Sequence, residues 1–207
     1  MNEALSISQG IFPFLIIIYS IILHEIAHGY AAYIQGDQTA ARAGRLTLNP
    51  IPHIDPVGSL LVPFLAFFSF GTFFGWAKPV PYNQYNIQSN LGVAFIASAG
   101  VLTNLLLALI AGIAFKVLAI EGLLTAELGS AIYTIISINV SLAFFNLIPI
   151  PPFDGMAILE ALFPKINITR NYSYNPLYMI GAILIASVLY GMFMPSILVF
   201  IRMVLIG

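Results

Sequence analysis

The chain has 207 residues, 60% hydrophobic and 7% charged, with mean hydropathy +0.98 and formal net charge -1. Soluble domains carry about 25% charged residues, so this chain lacks the polar surface to face water on all sides and reads as lipid-embedded. Its seven basic residues form no positive footprint for nucleic acid, and without cysteine it has no disulfide, iron–sulfur cluster, thiolate zinc site or Cys nucleophile.

Apolar runs long enough to span, or nearly span, a bilayer fall at 11–35, 57–76, 91–120, 128–148 and 176–206. The first is too long for a signal peptide, lacks a basic leader and carries charged residues, so it is kept as part of the mature protein. The stretch 154–163 is helical but too short to cross alone, and Pro195 either kinks the last run or splits it. The expectation is an all-α polytopic membrane protein, a single domain over 1–207, with five to six transmembrane or re-entrant helices. Ala108 and Gly112 make a small-xxx-small pair suited to close helix packing.

Polar connections separate the runs. Within 36–56, the alternation Arg45-Leu46-Thr47-Leu48 predicts a short β segment between the first two helices, an edge that an extended substrate could join. Segment 77–90, rich in Pro, Asn, Gln and Tyr and preceded by Trp76, reads as an interfacial loop, and 165–175 as a polar loop holding Arg170. If each long run crosses once, Lys78, Lys165 and Arg170 face Arg42, Arg45, Lys116 and Arg202, which gives no orientation by the positive-inside rule.

Chemistry concentrates in the first run, at His24-Glu25-Ile26-Ala27-His28. Residues four apart share a helix face, so two imidazoles can converge on one metal. Glu25 lies about 100° around the helix from His24, beside the ligand face, where it can take a proton from water activated by zinc. Counted from Ile11, His24 lies about 20 Å along the helix, inside a hydrocarbon layer roughly 30 Å thick. Ionisable groups at that depth are costly and mark functional sites.

A catalytic zinc site takes three protein ligands, and no third His follows at the next helical spacings, where Ala31 and Ala32 stand. The candidates are His53, Asp55, Asp154 and the remaining Glu residues. Asp154 stands out because Pro149, Pro151 and Pro152 end the fourth run just before it, and Gly155 follows. Broken backbone at membrane depth is tolerated only where protein or a water-filled cavity surrounds it, and a carboxylate just past the break can turn inward.

HEIAHGY together with Asn146-Leu147-Ile148-Pro149-Ile150-Pro151-Pro152-Phe153-Asp154-Gly155 resembles the site-2 protease family of intramembrane zinc metalloproteases, whose second motif is NxxPxPxxDG. NPIPHIDPVGSLLVP and FGWAKPVP resemble the compact prokaryotic branch, and the likeness runs from about Ile11 to Gly155. It implies one zinc ion per chain on His24, His28 and Asp154, Glu25 as base, and Asn146 beside the metal, holding substrate or the oxyanion. It further implies a multi-pass protein of the cell membrane, in contact with lipid, that cleaves transmembrane proteins or peptides. The chain departs from the family at Val101, where relatives often have Pro, which bears on local helix geometry; it contains no PDZ or CBS module.

Other polar residues have plainer readings. Asp55 is expected to cap the helix that starts at Pro56, Asn104 to make an interhelical hydrogen bond, and Lys78 to snorkel toward headgroups. Arg42 and Arg45 read as interfacial anchors, and His53 as either a site residue or a loop contact. Two rival functions follow from the same residues. A membrane zinc carrier would not need Glu25 for turnover, and an inactive scaffold would not need the metal.

Overall fold

In hydrocarbon a peptide group must find its hydrogen bonds within its own segment, and the apolar runs satisfy them as helices. The computed structural model describes residues 2–61, 77–166 and 176–206. Its α-helices are α1 (Asn2–Tyr33), the single turn α2 (Thr39–Arg42), α3 (Asn90–Ile120), α4 (Ala126–Leu147), the nine-residue α5 (Asp154–Leu162) and α6 (Pro176–Ile201). Among the described residues four stretches are long and apolar enough to cross a membrane: Ile11–Tyr33, Asn90–Ile120, Ala126–Leu147 and Gly181–Val204. The outer faces fit that reading, since Phe14, Leu106, Ile110, Val188 and Phe200 all lie exposed.

The predicted count of five to six is therefore not reached among the described residues. Most of the 57–76 run, residues 62–76, lies outside them, as does most of the 165–175 loop with Arg170. Pro195 does not divide the last run, because α6 continues through it. The predicted β segment is corrected: no strand occurs among the described residues, and 46–48 is a series of bends. A strand needs a neighbour with free backbone groups, but here local contacts use them. The Thr47 hydroxyl accepts from Asn49 N at 3.2 Å, the Asn49 side chain from Ile51 N at 3.1 Å, and the Thr47 carbonyl meets His53 Nε2 at 2.9 Å.

Helix α3 is the hub of the bundle, packed against α1, α4 and α5. Its buried face carries Ala94, Ala97, Gly100, Asn104, Ala108, Ala111 and Gly112, small residues that let neighbouring backbones approach. Both members of the Ala108/Gly112 pair lie on it. Toward the far end, Ala108 and Ala111 meet Ile132, Ile136 and Val140 of α4 and Met194 of α6. Tyr190 of α6 stacks on Phe145 with ring centroids 4.9 Å apart, and its hydroxyl lies 3.0 Å from Ser141 Oγ. The helix ends are capped as their sequences imply: Ser89 Oγ accepts from Gly92 N for α3, and Thr125 Oγ1 from Leu128 N for α4.

Candidate metal centre

Helix α1 presents two working faces. Ser20, His24, His28, Ala31 and Ala32 are buried along one of them, and α3 covers the imidazoles there. At Gly100 a side chain would not fit, since a Cβ would stand 2.5 Å from His24 Cε1, His24 Nε2 and His28 Nε2. Glycine inside a helix costs about 1 kcal/mol relative to alanine; here it makes room for two rings.

Each ring is held by its inner nitrogen. His28 Nδ1 lies 2.7 Å from the Ile96 carbonyl, which can only accept, so Nδ1 carries the proton. His24 Nδ1 lies 2.7 Å from Asn104 Oδ1. In the neutral rings both Nε2 atoms then present lone pairs, and they stand only 3.0 Å apart. Asp154, in the first turn of α5, brings Oδ2 to 3.1 Å from His24 Nε2 and 3.3 Å from His28 Nε2. That oxygen is buried and receives no hydrogen bond.

Three electron-pair donors facing one point repel each other unless a cation joins them. Ligands bound to a tetrahedral zinc ion at 2.0–2.1 Å lie about 3.3–3.4 Å from one another, close to the separations found here. Two imidazoles and one carboxylate also make a donor set of the catalytic kind, which leaves a fourth position for water or substrate. The residues fit zinc.

Asp154 reaches this point through the break at the end of α4. The chain turns at Ile148–Phe153, with Ile150 N donating to Ile148 O and Phe153 N to Ile150 O. Helix α5 then starts hard against the end of α4: a Cβ on Gly155 would stand 2.8 Å from the Ile148 carbonyl. Asn146, in the last turn of α4, is half-buried, and its Nδ2 donates to the Leu142 carbonyl at 3.0 Å.

The other face of α1 meets loops. Glu25 Oε2 accepts from Val80 N at 2.7 Å, and a Cβ on Gly29 would meet Leu46 Cδ2 at 2.5 Å and Val80 Cγ1 at 2.9 Å. The Val80 segment is tied down from both sides, because Lys78 N donates to the His53 carbonyl at 2.9 Å and Arg45 Nη2 to the Lys78 carbonyl at 2.5 Å. Asp37 holds its far end: fully buried, it accepts from Asn83 N, Asn86 Nδ2 and Thr39 N and Oγ1. Burial pushes its carboxyl pKa up, but these hydrogen bonds outweigh burial and hold it below the usual value.

Arg45 is thus not an interfacial anchor: it is 5% exposed, its pKa lowered by burial against the opposing charge of Glu25. Arg42 is exposed and donates to Gln38. Asp55 caps as expected, with Oδ1 accepting from Val57 N and Gly58 N. His53 is a buried loop contact on the Thr47 carbonyl, Lys78 has an exposed side chain, and Asn104 makes the expected interhelical bond, with a metal-site imidazole at one end. Gly100, Val80 and Asn139 belong to the site's surroundings without having been singled out. The available signal was a Gly and a second Asn inside apolar runs, where each needs a reason.

The sequence model of Peptidase family M50 matches residues 112–188. "Putative zinc metalloprotease YwhC" of Bacillus subtilis is 36% identical over 186 residues, which cover 84% of this chain and 82% of that protein. "Putative zinc metalloprotease Rip2" of Mycolicibacterium smegmatis is 32% identical over 72% of this chain and 54% of its own length. The Rip2 of Mycobacterium tuberculosis is 30% identical over 68% of this chain and 53% of its own. The chain thus spans about half the length of the Rip2 proteins. No solved structure matches it.

Proposed function

Because this chain belongs to peptidase family M50, the site-2 protease family, we propose that it is a zinc endopeptidase that hydrolyses peptide bonds within or next to transmembrane segments of other membrane proteins. One observation carries this reading: His24 Nε2, His28 Nε2 and the otherwise unsatisfied Asp154 Oδ2 converge inside an apolar bundle, one residue from a carboxylate. The chain acts as a single domain, a multi-pass protein of a prokaryotic cell membrane, with one zinc ion per chain.

His24, His28 and Asp154 would hold the zinc. When bound there, the ion supplies Lewis acidity, making hydroxide available from water near neutral pH and drawing electrons from a scissile carbonyl. Glu25 accepts the proton from the attacking water and returns it to the departing nitrogen. Asn146 helps hold the substrate or its developing oxyanion, its half-buried carboxamide lying eight residues before Asp154 along the break. A substrate helix must unwind locally first, since its peptide bonds are otherwise closed in hydrogen bonds. No covalent acyl-enzyme forms.

The test compares purified wild type with Glu25→Gln for zinc content and cleavage of a transmembrane peptide. The expected outcome is unchanged zinc with cleavage down about 10²–10⁴-fold, the contribution of a general base. Full cleavage by the variant would remove Glu25 from the mechanism. Zinc flux without cleavage by wild type would turn the reading to a carrier, and an absence of both zinc and cleavage to a scaffold.

A further inference from the structure

Beneath His24 lies a row of buried amides that the hydrolytic mechanism does not use. Asn104 and Asn139 are 0% and 1% exposed, in the middle of α3 and α4. Asn139 Nδ2 donates to the Ile135 carbonyl at 2.9 Å, and Asn139 Oδ1 accepts from Asn104 Nδ2 at 3.0 Å. Asn104 Oδ1 then faces His24 Nδ1 at 2.7 Å.

The row has a direction, and one atom sets it. The Ile135 carbonyl cannot donate, so Asn139 must turn its NH2 toward it and its oxygen toward Asn104. Asn104 must answer with its own NH2, which the Ser20 carbonyl at 3.4 Å also favours. Its oxygen is thereby committed to His24, where it accepts only if Nδ1 carries the proton. The Nε2 lone pair is left pointing at Asp154 Oδ2 and His28 Nε2. Flipping either amide would set oxygen against oxygen in a medium where unmet polar groups are expensive.

Resting on the zinc reading above, we propose that Asn139 is a positioning residue for the metal centre: acting through Asn104, it fixes His24 as an Nε2 zinc donor from across two helices. His28 needs no such relay, since the Ile96 carbonyl fixes it directly. Partners of metal-bound imidazoles tune affinity by about 10–100-fold, and Asn139, one step further out, should act entirely through Asn104.

The experiment is zinc competition against a chelator for purified, detergent-solubilised wild type, Asn104→Leu, Asn139→Leu and the double variant, with thermal melting of each metal-free protein as the folding control. Asn104→Leu should weaken zinc about 10–100-fold, Asn139→Leu by less, and the double variant no more than Asn104→Leu alone. Asn139→Asp supplies the rescue. In its neutral form the carboxyl donates to Ile135 and accepts from Asn104 as the amide does, so zinc affinity should stay within about threefold of wild type. Multiplicative losses in the double variant, or unchanged affinity in Asn139→Leu, would overturn the relay. Should the leucines not fold, Asn104→Ala and Asn139→Ala complete the same cycle with the same criteria. A wild type that binds zinc while the cycle multiplies sinks only the relay; a wild type that binds none sinks the zinc reading itself.

Discussion

The two faces of α1 are built differently. Around His24 and His28 the neighbours are helices: Gly100 lies under the rings, and Asn104 and the Ile96 carbonyl hold their inner nitrogens. Around Glu25 the neighbours are loops, and the carboxylate is held by the amide of Val80, a residue between two prolines. Helices packed through small residues fix positions closely, and ligands of a metal need that. Loop segments open at lower free energy than core helices, and the base proposed at Glu25, which would have to meet an incoming peptide, needs that instead. One helix thus carries the proposed metal ligands and the proposed base on adjacent residues, the first set against helices and the second against loops.

Disturbing the helical side should have the larger effect. In Gly100→Ala a methyl group would stand against both imidazoles, so the rings must shift, and zinc affinity measured by chelator competition should drop about 10–100-fold. Wild-type affinity in that variant would mean that α3 does not set the rings. On the loop side, Val80→Pro removes the amide proton from Glu25 while leaving every zinc donor in place. Zinc content should be unchanged and cleavage of a transmembrane peptide should fall about tenfold, within what a hydrogen bond to a charged group supplies. Loss of zinc in that variant would dissolve the distinction between the faces.

The smallest effect belongs to Asp37, at the far end of the same loop. Its folded carboxyl ionises below its ordinary value of 3.8, so its contribution to stability is whole at neutral pH. It drains as pH falls past the ordinary value and is gone below the folded one. Wild type should therefore melt above Asp37→Asn at pH 7, with the gap closing only in strong acid. A gap that closes between pH 7 and 5 would assign the effect to another group.

The contrast between the faces also marks what could be read from the chain. His24 and His28 were legible because helical spacing is a local rule, and Asp154 because three prolines before it announce a break at membrane depth. Gly100, Asn139 and Val80 were not, since their importance depends on the register between elements distant in sequence. Arg45 misled for a related reason: a charge in a polar loop reads as surface, but the fold buries it, with the Lys78 carbonyl as an acceptor for its guanidinium. The alternation at 45–48 failed as a strand because period two is a necessary sign and not a sufficient one. Among the described residues no strand lies alongside to pair with it, and turns formed by Thr47 and Asn49 take up the backbone groups first.

The cradle draws its donors from α1 and α5, with α3 closing it from behind. The histidine pair precedes Asp154 in the chain with α3 and α4 between them, so the candidate donor set is incomplete until α5 has been added. The converging geometry is thus a property of the assembled bundle, and no fragment that stops before α5 holds it.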